Sequence, residues 1–85
     1  MEEIVIGKVV KFFSKIGVAA IRIANGELNV GDTIKIRGHV TDLEQKVESM
    51  QVEHENVGTV AAGKDVGIKV RETVRENDLV YLMKL

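Results

Sequence analysis

The chain has 85 residues, of which 45% are hydrophobic, 29% charged and 4% aromatic. This is the composition of one small globular domain, which buries roughly 60% of its unfolded surface and leaves little room for a deep catalytic cleft. Twelve Lys and Arg against thirteen Asp and Glu give a net charge of -1, which excludes a general basic coat for nucleic acid but not a local basic face. No Cys is present, which excludes disulfides and thiolate-built zinc sites.

The N-terminus, Met1 to Lys8, is acidic, and its apolar stretch is only Ile4-Val5-Ile6. A signal peptide needs a basic start and a longer apolar region, and no run in the chain approaches the ~20 apolar residues that cross a bilayer. The expectation is a cytoplasmic protein without a membrane partner. Ile4 to Phe13 is a β-branched run with Gly7 inside it, and a glycine in a strand interior predicts a bulge or sharp bend. In Ala19-Ala20-Ile21-Arg22-Ile23 the alternation places Ala19, Ile21 and Ile23 inward. Asn25-Gly26 is a tight-turn signal. Thr33-Ile34-Lys35-Ile36-Arg37 alternates again, with Ile34 and Ile36 inward.

Thr41 to Val47 reads two ways. Thr41 with Glu44 forms a possible helix capping box, but Leu43 and Val47 alone make a thin apolar stripe, so a strand or loop running into Glu48-Met50-Val52 is favoured. Val66-Gly67-Ile68-Lys69-Val70 turns Val66, Ile68 and Val70 inward. Leu79 to Met83 reads as a terminal strand buried on both faces. Three turns echo one another: Gly31-Asp32, Gly63-Lys64-Asp65 and Asn77-Asp78 each set a residue that tolerates positive φ ahead of an Asp and an apolar strand. Six or seven short strands at spacings of about ten residues predict an all-β sandwich or small barrel. Closure is expected because it removes open edges.

Signatures of catalysis are missing. No Gly-rich loop ends in Gly-Lys-Ser/Thr, and Gly-x-Ser-x-Gly does not occur. The serines are Ser14 and Ser49, and His39 and His54 are not at helical i, i+4 spacing. The chain is not expected to be an enzyme, nor to carry a cofactor or metal. His54, between Glu53 and Glu55, falls by strand parity on the Met50-Val52 face near the interior; a hydrogen-bonded structural histidine is favoured over a ligand, since metal sites need three or four donors. Asp32, Asp65 and Asp78 sit at turns, where Asp bonds its own backbone. Arg71 to Asp78 mixes signs and reads as a solvated loop. Absent Cys and abundant Lys and Glu fit a thermophilic source, whereas absent Pro argues the other way.

The stretch Asn25-Gly26-Glu27-Leu28-Asn29-Val30-Gly31-Asp32-Thr33-Ile34 resembles the G-x-[LI]-x-x-G-D-x-[IV] unit in the second domain of elongation factor Tu and elongation factor 1-alpha. Val47 to Glu55 resembles that family's next strand, and Ala62 to Val70 its P-G-D-N-V-G-F-x-V segment. Gly7-Lys8-Val9, Phe13 to Ala19 and Gly38 to Asp42 resemble the small barrel appended to the C-terminus of U32 peptidase-family proteins. Together these resemblances imply a single domain over residues 1–85, a small closed six- or seven-stranded β-barrel of the translation-factor domain 2 type. The GTPase domain and the peptidase body are both missing from the sequence, so neither GTP binding nor proteolysis is expected.

In translation factors this barrel contacts RNA, and the resemblance therefore implies a non-catalytic module that contacts tRNA, rRNA or the ribosome. The alternative is a protein-interaction adaptor for a U32 peptidase-like or RNA-modifying partner. The candidate RNA-binding residues are Lys8, Lys11, Phe13 and Lys15, where lysines interleave with aromatics, extended by Arg22, Lys35, Arg37 and His39 if their strands are neighbours. Against this stands the reading in which Phe12 and Phe13 fill the core and the lysines are a solvated face. It carries the greater weight, because a chain this short needs its aromatics for burial.

Overall fold

The computed structural model describes residues 2–84 and is all-β. Ten strands follow one another: β1 (Glu2–Phe13), β2 (Val18–Ile23), β3 (Glu27–Asn29), β4 (Thr33–Arg37), β5 (Asp42–Lys46), β6 (Met50–Val52), β7 (Glu55–Val57), β8 (Thr59–Ala61), β9 (Asp65–Lys69) and β10 (Leu79–Lys84). Eight form an antiparallel sheet in the order β5-β4-β10-β1-β2-β9-β6-β7, and β3 pairs with β8 in a separate ribbon.

The alternating segments behave as their period demands. Ala19, Ile21, Ile23, Ile34 and Ile36 are fully buried, and Val66, Ile68 and Val70 lie beside them in one core. Each isoleucine so placed contributes about 1.5–3 kcal/mol relative to an exposed one. Segment 42–46 is a strand, with Leu43 and Gln45 inward. β10 departs from the expectation of burial on both faces: Val80 and Leu82 are buried, Tyr81 and Met83 are half-buried, and Leu79 is exposed. The three echoed turns do adopt the left-handed region, with φ of 100° at Gly31, 93° at Gly63 and 73° at Asn77.

β1 carries two irregularities that let one strand serve two neighbours. Its register against β10 shifts between Val5 and Gly7, and its register against β2 shifts between Val9 and Lys11. The first shift is the irregularity that Gly7 predicts. The backbone of β2 approaches so closely there that a β-carbon on Gly7 would overlap the carbonyl oxygen of Arg22.

Two expectations need correction. Ten strands replace the predicted six or seven, because β3, β7 and β8 have only three residues each and are too short to display an alternation. Nor does either sheet close into a barrel: β5 and β7 remain the edges of the large sheet. Where a ladder would have joined β5 to the far end of β9, one side chain stands in for it. The Gln45 amide donates to the Lys69 carbonyl at 2.9 Å, and its oxygen accepts from the Arg71 N–H at 3.0 Å. Gln45 itself is 7% exposed.

Candidate functional site

Backbone pairing decides which of the candidate residues meet. Lys8 lies opposite Arg22 on β2 and Leu79 on β10, Leu79 lies opposite Arg37 on β4, and Arg22 lies opposite Asp65 on β9. Cross-strand neighbours on one face are about 5 Å apart, so Arg37, Leu79, Lys8, Arg22 and Asp65 form one row across the outer face of the sheet. The next row toward the β1–β2 turn holds Lys11, Ala20, Gly67 and Gln51, and the one beyond it Phe13, Val18 and Lys69.

The basic side chains divide into two groups. Arg22 binds Asp65 through two hydrogen bonds of 2.9 and 3.2 Å. That bonding holds the Asp65 carboxyl below its ordinary range and raises the Arg22 guanidinium, although both side chains are about half exposed. Arg37 bonds Glu3 at 2.9 Å, comes within 3.9 Å of Asp42, and lies 5.6 Å from the centroid of the Tyr81 ring. Lys35 sits between Glu3 at 3.3 Å and Glu44 at 3.7 Å. In contrast, Lys8, Lys11, Lys15 and His39 have no carboxylate within 4.0 Å among the described residues. Lys15 lies in the turn after β1 and His39 in the exposed turn between β4 and β5.

The two phenylalanines separate as well. Phe12 packs against the core. Phe13 is 41% exposed, and the Lys11 ammonium lies 5.2 Å from its ring centroid. Phe13 forms one bank of a shallow groove of about 320 Å³, together with Ile16 and Val18. Ala20 and Gly67, directly opposite each other on β2 and β9, make the floor. Gln51, Glu53 and His54 form the other bank. A glycine at this outward strand position was readable as a site of open or close approach, whereas the opposing bank was not.

His54 is the clearest correction on this bank. It does not occupy the Met50–Val52 face. With Glu53 it makes the two-residue turn between β6 and β7, with φ of 50° and 66°, and it is exposed. The sequence carried no Gly or Asn there to announce a primed hairpin turn. Of the turn aspartates, Asp32 accepts from the Asn29 N–H at 2.9 Å and Asp78 from the Arg75 N–H at 2.8 Å, as turn residues do, but Asp65 is a cross-strand ion-pair partner instead. Among the described residues no group of three or more His, Asp and Glu gathers to hold a metal ion. No helix among them is long and apolar enough to cross a membrane.

Comparison with known proteins follows the same lines. An uncharacterized protease of Methanocaldococcus jannaschii is 45% identical over 83 residues, covering 96% of this chain and 20% of that protein. A collagenase of Porphyromonas gingivalis is 41% identical over 81 residues, covering 94% of this chain and 20% of that protein. The chain thus spans about a fifth of the length of the curated relatives it matches. Among solved structures, the C-terminal domain of a Geobacillus thermoleovorans protein assigned to the U32 peptidases superposes with a TM-score of 0.85 at 18% identity, covering 96% of this chain and 93% of that one. The fold is therefore shared with a domain that elsewhere closes a longer chain. The family model for elongation factor Tu domain 2 matches residues 17–77, which run from the β1–β2 turn through the three echoed turns, and the chain belongs to that family.

Proposed function

We propose that this module is a non-catalytic, cytoplasmic RNA-binding domain whose contact surface is the β1–β2 side of the outer face. The observation that carries the reading is the division of the basic groups. Lys8, Lys11 and Lys15 stand without carboxylate partners among the described residues, and Phe13 presents its ring beside them. Unpaired ammonium groups can replace the counterions of a phosphate backbone, and an exposed ring can stack on an unpaired base. Arg22, although it lies opposite Lys8, already holds an acid, as do Lys35 and Arg37.

The test is fluorescence anisotropy of tRNA and of single-stranded RNA against salt concentration. Replacing Lys8, Lys11 and Lys15 together by Ala is expected to weaken binding and to reduce the salt slope by about 2, since each phosphate left unneutralised takes away about 0.7. Absence of any salt-sensitive binding at micromolar protein ends the reading.

A second reading is supported by the relatives, in which the matched region is only a fifth of the protein. Under it the domain is an adaptor that docks on a U32 peptidase-like or RNA-modifying partner. A pull-down that returns one stoichiometric protein and no RNA favours this reading over the first.

A further inference from the structure

Two hairpins of opposite charge flank the groove of about 320 Å³. Residues 8–18, which run through the β1–β2 turn, hold Lys8, Lys11 and Lys15 and no Asp or Glu. Residues 50–57, the β6–β7 hairpin, hold Glu53 and Glu55 and no Lys or Arg. We propose that this groove is a self-docking surface, on which a second copy of the chain seats about a two-fold axis. The inference goes beyond the RNA reading and does not rest on it. Because docking covers Phe13, Lys11 and Lys15, the paired form and an RNA-bound form exclude one another.

Three observations support this occupant. First, one bank of the groove is apolar and open. Phe13 is 41% and Ile16 63% exposed there, and removing such side chains from water favours association. Second, the charges are complementary between copies and not within one. Lys11, Lys15, Glu53 and Glu55 are exposed, and none has an opposite charge within 4.0 Å among the described residues. β2 and β9 hold the two hairpins apart in a single chain. A two-fold axis along the floor exchanges the banks. The lysines of one copy then face the partner's Glu53 and the partner's Glu55, and the reciprocal contact forms at the same time. A phosphate chain lying across both banks would satisfy the lysines but be repelled by the acids.

Third, the floor is kept bare although the fold does not demand it. A β-carbon on Gly67 would meet nothing closer than the Val18 Cγ1 at 3.4 Å, and Gly67 is not among the residues of positive φ. Unlike Gly7, it is required by neither a turn nor a close approach inside the chain. A glycine inside a strand weakens it and often marks close approach by another backbone. Ala20 stands opposite it on β2, so the floor leaves room for the partner's Phe13 and the partner's Ile16. The domain measures 32 × 30 × 20 Å, which places an interface on this groove at the small end of the range, below about 1,200 Å² in total, where complexes are transient.

The experiment is sedimentation equilibrium of the RNA-free protein from about 1 μM to about 1 mM, the span in which weak complexes form. The wild type is expected to pass reversibly from one chain to two. Glu53→Lys/Glu55→Lys and Lys11→Glu/Lys15→Glu change exposed side chains, so each variant is expected to keep the wild-type denaturant midpoint. Alone, each should weaken self-association at least about tenfold, because every charge pair between copies becomes a like pair. Mixed in equal amounts, the two variants should pair with each other, since both contacts between them are again opposite in sign. Ile16→Ser should weaken pairing with no charge changed. A wild type that stays a single chain at the highest concentration overturns the proposal and leaves the groove to a partner of other chemistry. If the wild type pairs but either reversal pairs as tightly, or the mixture fails to pair, the two-fold arrangement is overturned. Pairing unchanged in Ile16→Ser overturns the groove as the place of contact.

Discussion

The two halves of β1 carry opposite chemistry on one strand. The first half, paired with β10, begins with Glu2 and Glu3, and Glu3 occupies both Lys35 and Arg37. The second half, paired with β2, carries Lys8 and Lys11 with no such partner among the described residues, and ends in an exposed ring. The register shift at Gly7 is the border between them. Both halves look basic when counted together with their neighbours, yet cations already bonded to carboxylates must break those bonds before they can meet a phosphate. Occupancy of the cations, more than their number, distinguishes one outer region from the other.

The largest effect is expected at the border itself. Gly7→Ala forces a β-carbon into the Arg22 carbonyl, a backbone group that cannot rotate away. Overpacking costs about 1–3 kcal/mol in general, and the upper end is expected here, read as a lower denaturant midpoint at unchanged m-value. Next comes the contrast between adjacent phenylalanines. Phe12→Ala should destabilise the domain by about 2 kcal/mol, less than the roughly 3–5 kcal/mol of a wholly buried ring, and leave the RNA salt slope alone. Phe13→Ala should leave the midpoint within about 0.5 kcal/mol and cost about 1–3 kcal/mol of single-strand affinity, the value of one stacked base.

Glu3→Gln is a smaller perturbation. Removing a carboxylate from a partly exposed network should shift stability by no more than about 1 kcal/mol. It also frees Lys35 and Arg37, so a steeper RNA salt dependence is expected; an unchanged slope would show that occupancy does not silence these cations. The smallest effect belongs to Asp65. Its folded carboxyl sits below the ordinary range because Arg22 donates to it, so its contribution to stability is present above the unfolded carboxylate pKa. That contribution is lost as pH falls through the folded value. Below about pH 4 the wild type should therefore lose slightly more stability than Asp65→Asn.

Much of the fold was legible because burial on one face writes a period of two into the chain. Ile34 and Ile36, Val66 and Ile68, and Ala19, Ile21 and Ile23 all announced their strands, and Gly31, Gly63 and Asn77 announced their turns. β6 was read from Met50 and Val52, but its hairpin with β7 was hidden, since β7 shows no period and the turn is built from Glu53 and His54 in place of Gly or Asn. The candidate residues were legible as a basic list but not as a site. Glu3 lies 32 and 34 positions from Lys35 and Arg37, and Asp65 lies 43 positions from Arg22. Such pairs exist only once the strands have been ordered.

The Gln45 amide has a consequence for the life of the protein in a crowded solution. An exposed strand edge is a template on which another chain can add, and β5 is an edge of the large sheet that Gln45 ties across an open seam to the end of β9. A single neutral side chain therefore helps guard against association, alongside the exposed charges of Asp42, Glu44 and Lys46 on the same strand. The Arg71 amide hydrogen, bonded to Gln45, is the natural reporter of that guard. Its exchange with solvent measures how often the seam opens while every ladder elsewhere stays intact.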